Sequence, residues 1–319
     1  MLETVWKEID QYEKIILHRH VSPDPDAYGS QLGLATLIKH RYPNKLVKCV
    51  GYSETSLSWM GVMDEASDAD FAGALVLVMD TGNAKRIDDE RYKSGAYCIK
   101  IDHHPPVEDY GDLNVVDTSL SSTSEFVVNL YEKNKAAYDL EMTKEAATLL
   151  YAGIIADSGR FLYDNSSQST YVCVANLLDY EVDRAYVHEN MYKRTLNMIQ
   201  AQGYVLSNFS VSDHGVAYFK MTKEVQAMYG LTTATRSALV NVLSNIEGIH
   251  VWVCFFENEE NIRVNIRSGG PIINTVAETF EGGGHPKASG AIIYDWDSCE
   301  HVVAALDVAC IQYLEAKKS

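Results

Sequence analysis

Short apolar runs that end in acids or imidazoles dominate the first hundred residues and limit the folds open to this chain. The runs are KIILH (14–18), LVKCVGY (46–52), GALVLVMD (73–80) and AYCIKID (96–102). Continuous apolar runs that alternate with segments of helical period or with polar loops are typical of a parallel sheet covered by helices. We therefore predict an α/β domain whose parallel sheet carries helices on both faces.

After residue 118 the pattern turns helical. Helices are predicted in SSTSEFVVNLYEKN, TKEAATLLYAGIIAD and SQSTYVCVANLLD. In the first of these, a Ser/Thr cap three residues ahead of Glu125 indicates a capping box. In an earlier helix, Gly29 and Gly33 are expected to let the helix pack closely on a strand.

The second half predicts a smaller α/β domain. Alternating apolar and polar residues return in GVAYFKMT, GIHVWVCFFE and NIRVNIRS, with helix candidates around 236–246 and 272–280. A length of 319 residues suits two domains. The expected limits are a first domain at 1–185, a helical linker at 186–205 and a second domain at 206–319.

Composition excludes several classes of protein. No apolar run approaches a membrane span, and acids stand where a signal peptide has basic residues, so we expect a cytoplasmic protein without a membrane partner. The six scattered cysteines indicate reduced thiols. The chain has a formal net charge of −17, so it lacks the basic surface that binding to long duplex nucleic acid requires. Any anionic substrate should therefore be small.

Acids and imidazoles follow the predicted strands and one later helix. They are His20, Asp24, Asp26, Asp80, Asp102, His103, His104 and Asp157. Taken singly, each aspartate is explained as a turn or helix cap, and each histidine as structural or solvated. Because the carboxyl ends of parallel strands meet at one edge, the acids should converge and repel unless cations lie among them. Carboxylate and imidazole without thiolate suit Mn²⁺ or a related ion, and two such ions suit phosphoryl chemistry.

Two prolines frame the first pair of acids. Pro23 and Pro25 fix their own φ and favour extended backbone in the residues before them. In an extended chain, residues two apart face the same side, so Asp24 and Asp26 are expected to present both carboxylates to one site.

A glycine-rich motif near the C-terminus, FEGGGHPKASGA, indicates an anion site. Backbone N–H groups of Gly282, Gly283 and Gly284 are unshielded by side chains and could form a nest for phosphate. His285 and Arg267 could add charge-assisted hydrogen bonds. The alternative is a simple glycine-rich turn beside a basic residue.

Together these motifs resemble the DHH phosphoesterase superfamily. HVSPDPDAYGS, MDTGNAKRID, IDHHP and ADSGRF are similar to its four motifs in order, and NIRVNIRS with FEGGGHPKASGA is similar to its DHHA1 domain. The resemblance spans residues 14 to 293. It implies two Mn²⁺ ions, with Mg²⁺ or Co²⁺ as alternatives, in a cleft between the two domains.

The resemblance also implies roles for the residues. The first ion would be held by His20 and Asp24, and the second by Asp26, His103 and Asp157. Asp80 would bridge the ions, and His104 would stabilise the transition state or the leaving group. Asp102 would orient an imidazole. Many members have Asp-Gly-Asp where this chain has Asp-Pro-Asp, so the middle residue is expected to be extended here.

Features of other subgroups of this superfamily that are missing from the sequence indicate which subgroup the chain resembles. From the given sequence we expect no sensor or transmembrane segment ahead of the first motif and no added nucleic-acid-binding domain, and we find no Ser-Arg-Lys-Lys-Gln-type clamp in it. The resemblance that remains is to stand-alone oligoribonucleases and pAp phosphatases, which act on very short RNA, 3′-phosphoadenosine 5′-phosphate (pAp) and, in some members, linear or cyclic dinucleotides. The expected reaction is attack of an ion-activated water on a terminal 5′ phosphorus. A cyclic-di-AMP phosphodiesterase, an inorganic pyrophosphatase and a non-catalytic nucleotide-binding module remain alternatives. A homodimer and the role of His18 are left open.

Overall fold

The computed structural model describes residues 1–317, without the side chain of Ala234. The chain divides into two compact units, Met1–Tyr192 and Lys193–Ser319. The boundary lies inside the stretch predicted to be a helical linker. That stretch contains two helices rather than one, because the chain leaves helical geometry between Tyr192 and Leu196.

A five-stranded, wholly parallel sheet forms the centre of the first unit. Its strands are β1 (Lys14–His18), β2 (Leu46–Cys49), β3 (Leu75–Met79), β4 (Tyr97–Asp102) and β5 (Leu113–Val116). The strand order is β2-β1-β3-β4-β5, so β1, β3 and β4 are adjacent and end at the same edge. The predicted parallel sheet is confirmed. The short polar-flanked strand β5 is not among the sequence predictions.

The two faces of this sheet are covered unequally. The helices of the first unit are α1 (Leu2–Gln11), α2 (Pro25–Arg41), α3 (Asp68–Phe71), α4 (Thr123–Tyr138), α5 (Lys144–Asp157), α6 (Gln168–Leu178) and α7 (Arg184–Tyr192). The larger apolar core, on one face, packs the sheet against α1, α2, α4 and α5. On the other face, Ile16, Val76 and Val78 pack against Phe71 of α3 and Tyr92 of a 3₁₀ turn. Helices cover both faces of the sheet, as predicted. The face that carries α3 has the smaller apolar core, and we call it the thin face of the sheet.

The second unit contains a six-stranded mixed sheet. Its strands are β6 (Ser210–Val211), β7 (Val216–Met221), β8 (Val251–Glu257), β9 (Ile262–Ser268), β10 (Gly283–His285) and β11 (Ala288–Ile293). Its helices are α8 (Leu196–Asn208), α9 (Lys223–Met228), α10 (Thr233–Arg236), α11 (Asn274–Glu278) and α12 (Ser298–Ala316). The order β10-β11-β9-β8-β7-β6 is antiparallel except between β7 and β8. A smaller α/β domain is therefore confirmed.

One predicted helix is replaced by shorter turns. The candidate around 236–246 begins with a 3₁₀ turn at Ser237–Leu239 and continues as further turns rather than as an α-helix. In the part of the chain that the structure describes, no helix is both long and apolar enough to cross a membrane.

Candidate metal centre

Three adjacent strands deliver the candidate ligands to one edge of the first sheet. β1 leads into His20, β3 into Asp80, and β4 ends at Asp102, directly before His103 and His104. Helix α2 begins beside this edge and supplies Asp24 and Asp26, while α5 ends with Asp157. All of these groups except Asp102 fall into three clusters, in each of which the candidate ligand atoms lie within 4.8 Å of one another.

The first cluster is His20, Asp24 and Asp80. The Nε2 atom of His20 lies 3.4 Å from Asp80 Oδ2 and 3.8 Å from Asp24 Oδ2. Nδ1 of the same ring lies 2.9 Å from the carbonyl oxygen of Val21. When that nitrogen carries the proton and donates it to the carbonyl, Nε2 is free to bind a cation, as is usual for a metal-binding histidine. The Arg86 guanidinium, 3.1 Å from the same nitrogen, can only donate and so makes no hydrogen bond to it in this tautomer.

The second cluster is Asp26, His103 and Asp157. The Nε2 atom of His103 lies 3.1 Å from Asp157 Oδ2, and Nδ1 lies 3.4 Å from the carbonyl oxygen of Leu120. Both candidate histidines therefore contact a backbone carbonyl through Nδ1 and turn Nε2 towards carboxylates. This arrangement allows Nε2 to coordinate a cation.

Asp80 lies between the two clusters. Its Oδ2 faces His20, while its Oδ1 lies 3.6 Å from His103 Nε2 and 3.6 Å from His104 Nδ1. The residue has a φ of 52°, a left-handed conformation that is uncommon outside glycine, and its N–H donates to the carbonyl of Ile101. Such strain is concentrated at functional sites, and here it follows directly after a buried strand.

Asp24 has the predicted extended backbone, with a φ of −110° and a ψ of −178°, but the geometry of Pro25 and Asp26 differs from the prediction. Pro25 occupies the first position of α2 instead of extended backbone, which suits proline because that position needs no N–H donor. Asp24 is the N-cap, and its Oδ1 accepts the N–H groups of Asp26 and Ala27 at 3.0 Å each. The two carboxylates consequently belong to different clusters. The extended-chain explanation is wrong, and no N–H at position 25 is needed.

The N-terminus of α4 holds two of the candidate ligands, a feature absent from the sequence analysis. The N–H of Thr123 donates to Asp26 Oδ2 at 2.8 Å, and the N–H of Ser124 donates to Asp26 Oδ1 at 2.9 Å. The Thr123 hydroxyl donates to Asp80 Oδ1 at 3.0 Å. Only the SSTSE motif could have located this turn, and from sequence it predicts no more than a helix cap.

The electrostatics of the centre favour bound cations. Burial, together with the charges of Asp80 and Asp157, raises the pKa of Asp26 well above its usual range. Burial lowers the pKa of His103, but the contact with Asp157 and the charges of Asp26 and Asp80 outweigh it and raise that pKa to about 10. Within residues 1–317, the buried Nε2 of His103 has close carboxylate contacts, the nearest at 3.1 Å to Asp157, but no contact with hydrogen-bond geometry. Oxygen and imidazole ligands without thiolate fit Mn²⁺ or a similar divalent ion.

A buried lysine supports the imidazole of His104. The Nδ1 atom of His104 lies 2.8 Å from Asp102 Oδ1, and this hydrogen bond is the main cause of its raised pKa. Lys100 Nζ lies 3.5 Å from Asp102 Oδ2 and donates to the carbonyls of Gly82 and Glu108. Asp102 thus orients His104, while the side chain of His104 remains 42% exposed. Lys100 is absent from the sequence predictions because a lysine in a strand ordinarily faces solvent.

His18 lies outside the centre. Its side chain is fully buried between Phe71 and Tyr92, and burial lowers its pKa to about 4. The neutral ring of His18 therefore packs against the apolar residues that cover the thin face of the sheet, which gives His18 a structural role.

The predicted substrate-binding residues lie together in the second unit. Ala288 of β11 pairs with Arg267 of β9 on one side and with His285 of β10 on the other, so the three residues form a row across the sheet. Gly283 and Gly284 begin the edge strand β10, and Gly282 directly precedes it. Gly282 has no room for a side chain, since a Cβ there would lie 2.1 Å from the carbonyl oxygen of Gly290, and Gly284 has a φ of 138°. Both therefore have structural reasons to be glycine, and substrate binding by this group stays a prediction.

Fold and site together define an α/β protein with a candidate centre for two cations, and comparison with known proteins identifies its relatives. Residues 14–154 match the DHH family, N-terminal domain, and residues 216–312 match the DHHA1 domain. The chain is 44% identical over 307 residues to the bifunctional oligoribonuclease and PAP phosphatase NrnA of Bacillus subtilis (strain 168), covering 96% of this chain and 98% of the relative.

A second relative and one crystal structure agree with this result. The chain is 42% identical over 305 residues to the probable bifunctional oligoribonuclease and PAP phosphatase NrnA of Streptococcus mutans, covering 95% of this chain and 97% of the relative. The crystal structure of an exopolyphosphatase-related protein from Bacteroides fragilis superposes with a TM-score of 0.82 at 29% identity, covering 100% and 97% of the two chains. The chain therefore belongs to the DHH family of phosphoesterases, in the group with a DHHA1 domain, and is a hydrolase.

Proposed function

We propose that this enzyme hydrolyses short oligonucleotides, linear dinucleotides such as pApA, and pAp, with two Mn²⁺ ions at the centre formed by the first unit. The observation that carries the proposal is the pair of His/Asp clusters joined by Asp80, each with an imidazole Nε2 turned towards carboxylates. The names of the Bacillus and Streptococcus relatives support the choice of substrates.

The proposed reaction uses the residues in distinct ways. Divalent ions, when bound, supply an activated water and stabilise negative charge on the phosphoryl oxygens. Asp80 fixes the spacing of the two clusters. Asp102 holds Nδ1 of His104, which leaves Nε2 of that exposed ring free to donate a proton to the leaving oxygen.

Substrate size is the next part of the proposal. At a net charge of −17 the surface repels long nucleic acid, so attraction must come from bound cations and a few local basic groups. We assign that role in the second unit to Arg267 and His285, together with the backbone N–H groups of Gly282, Gly283 and Gly284. In the first unit, Arg86 places a guanidinium nitrogen 3.1 Å from His20 Nδ1 and adds positive charge beside the first cluster.

The identity of the bound ions and the cellular location of the protein complete the proposal. Carboxylate and imidazole ligands suit Mn²⁺, and the absence of thiolate ligands argues against a structural zinc site. A cytoplasmic location fits the cysteines, which are free and, apart from the half-buried Cys98, buried.

A substrate panel tests the proposed specificity. The panel is pAp, pApA, RNA of two to five nucleotides, a 20-nucleotide RNA, cyclic di-AMP and pyrophosphate, assayed with Mn²⁺ by chromatography of the products. We expect the highest kcat/KM for pAp, pApA and the shortest RNA, and a steep fall with length. Faster turnover of pyrophosphate or cyclic di-AMP than of any linear nucleotide would overturn the assignment. Binding without any product would instead indicate a nucleotide-binding module.

A further inference from the structure

The first turn of α4 contacts two of the carboxylates on which the proposed function rests. Thr123 is fully buried, and so is the side chain of Asp26, while Asp80 is 2% exposed. No part of this turn belongs to the proposed ligand set. The turn nevertheless makes three hydrogen bonds to that set, through two backbone N–H groups and one hydroxyl.

The hydroxyl makes the contact that depends on the side chain. The two N–H groups that bind Asp26 do not depend on residue type. Every helix N-terminus has N–H groups that lack partners within the helix and favour a nearby anion. The hydroxyl of Thr123 instead reaches Asp80, the carboxylate between the clusters, and donates to Oδ1 at 3.0 Å. It thereby fixes which oxygen faces His103 and His104 and leaves Oδ2 facing His20.

The turn itself is rigidly anchored. The hydroxyl of Ser122 caps the helix by accepting the N–H of Glu125 at 3.0 Å. The buried carboxylate of Glu125 accepts the N–H and hydroxyl of Ser121 and the hydroxyl of Thr170 in α6. Since these groups are buried and hydrogen-bonded, Thr123 is held by helix caps rather than by the cations.

We propose that Thr123 is a positioning residue for the two-cation centre, and that its hydroxyl holds the bridging carboxylate of Asp80 in the orientation both ions require. This inference rests on the proposed function, because it assumes that Asp80 binds cations. Groups that hydrogen-bond to metal ligands typically contribute about 10–100-fold to metal affinity. Thr123→Val removes the hydroxyl while keeping the branched shape and both backbone donors.

The test is a titration of chelator-treated, full-length protein with Mn²⁺. Calorimetry measures the affinity for each ion, and electron paramagnetic resonance reports the coupling between the bound ions. For Thr123→Val we expect the affinity for at least one ion to fall by about 10–100-fold and the spectrum of a coupled ion pair to weaken. Thr123→Ser, which keeps the hydroxyl, should restore both. The melting temperature in chelator shows whether each variant is folded, and Thr123→Ala replaces Thr123→Val if the latter is unfolded.

A neighbouring hydroxyl provides the matched control. Ser124 is also fully buried in this turn, but its hydroxyl makes no hydrogen bond within residues 1–317. Because Ser124→Ala removes only this hydroxyl and keeps the backbone N–H that donates to Asp26, it should bind Mn²⁺ as the wild type does. Unchanged affinity in Thr123→Val, or an equal loss in Ser124→Ala, would overturn the role of Thr123. Wild-type protein that binds no Mn²⁺ would refute the proposed function itself.

Discussion

At the scale of single residues, the candidate ligands are held in place by hydrogen-bond donors that lie outside the ligand set, such as Thr123. Acids and imidazoles after buried parallel strands must lie at one edge, and the structure brings His20, Asp80 and His103 there. What the sequence could not provide is the set of groups that hold the ligands. Backbone N–H donors such as that of Thr123 carry no residue signature, and Lys100 is recognised only when its neighbours are known.

His104 allows a test at this scale because its ring is partly exposed and Asp102 fixes one of its nitrogens. His104→Asn should lower kcat for pApA by about 10²–10⁴-fold, since a positioned proton donor contributes that much. The loss should be much smaller for a 4-nitrophenyl phosphate ester, whose leaving group needs no proton. Steady-state kinetics on both substrates provide the measurement, with Mn²⁺ affinity as the control for an intact centre. An equal loss on both substrates would remove His104 from the role of donor.

At the scale of elements, the crossing of α2 and α5 positions the centre. The expectation that Gly29 and Gly33 let α2 pack on a strand is wrong, because both face α5. A Cβ at Gly29 would lie 2.6 Å from the carbonyl oxygen of Leu149, and a Cβ at Gly33 would lie 2.8 Å from the side chain of Leu150. Sequence alone shows that a helix contains glycine but does not show which neighbour requires it.

Alanine substitutions at the two glycines are expected to lower the free energy of unfolding by different amounts. Gly29→Ala should lower the free energy of unfolding by about 1–3 kcal/mol, because its clash is with backbone and two helices must separate. Gly33→Ala should cost less, since a leucine side chain can change its rotamer. Denaturant unfolding in the presence of chelator measures both without a contribution from bound ions. A larger loss for Gly33→Ala than for Gly29→Ala would contradict this view of the crossing.

At the scale of the whole molecule, the order of elements predicted two α/β domains, and both are present. Long or strictly alternating apolar runs identified seven strands. The strands β5, β6, β10 and β11 were missed because they are short, polar or glycine-rich, and their pairing depends on neighbours distant in sequence. That residues of both units hold the substrate remains a prediction, and a homodimer is left open.

The central claim is that the first unit holds two divalent cations and that turnover depends on them. The most direct measurement is hydrolysis of pApA by chelator-treated protein as Mn²⁺ is added back, with bound Mn²⁺ counted in the same samples. We expect no activity without metal, full activity at two bound ions per chain, and neither the second ion nor turnover in folded Asp80→Ala. Full activity in chelator, or in Asp80→Ala, would contradict the claim.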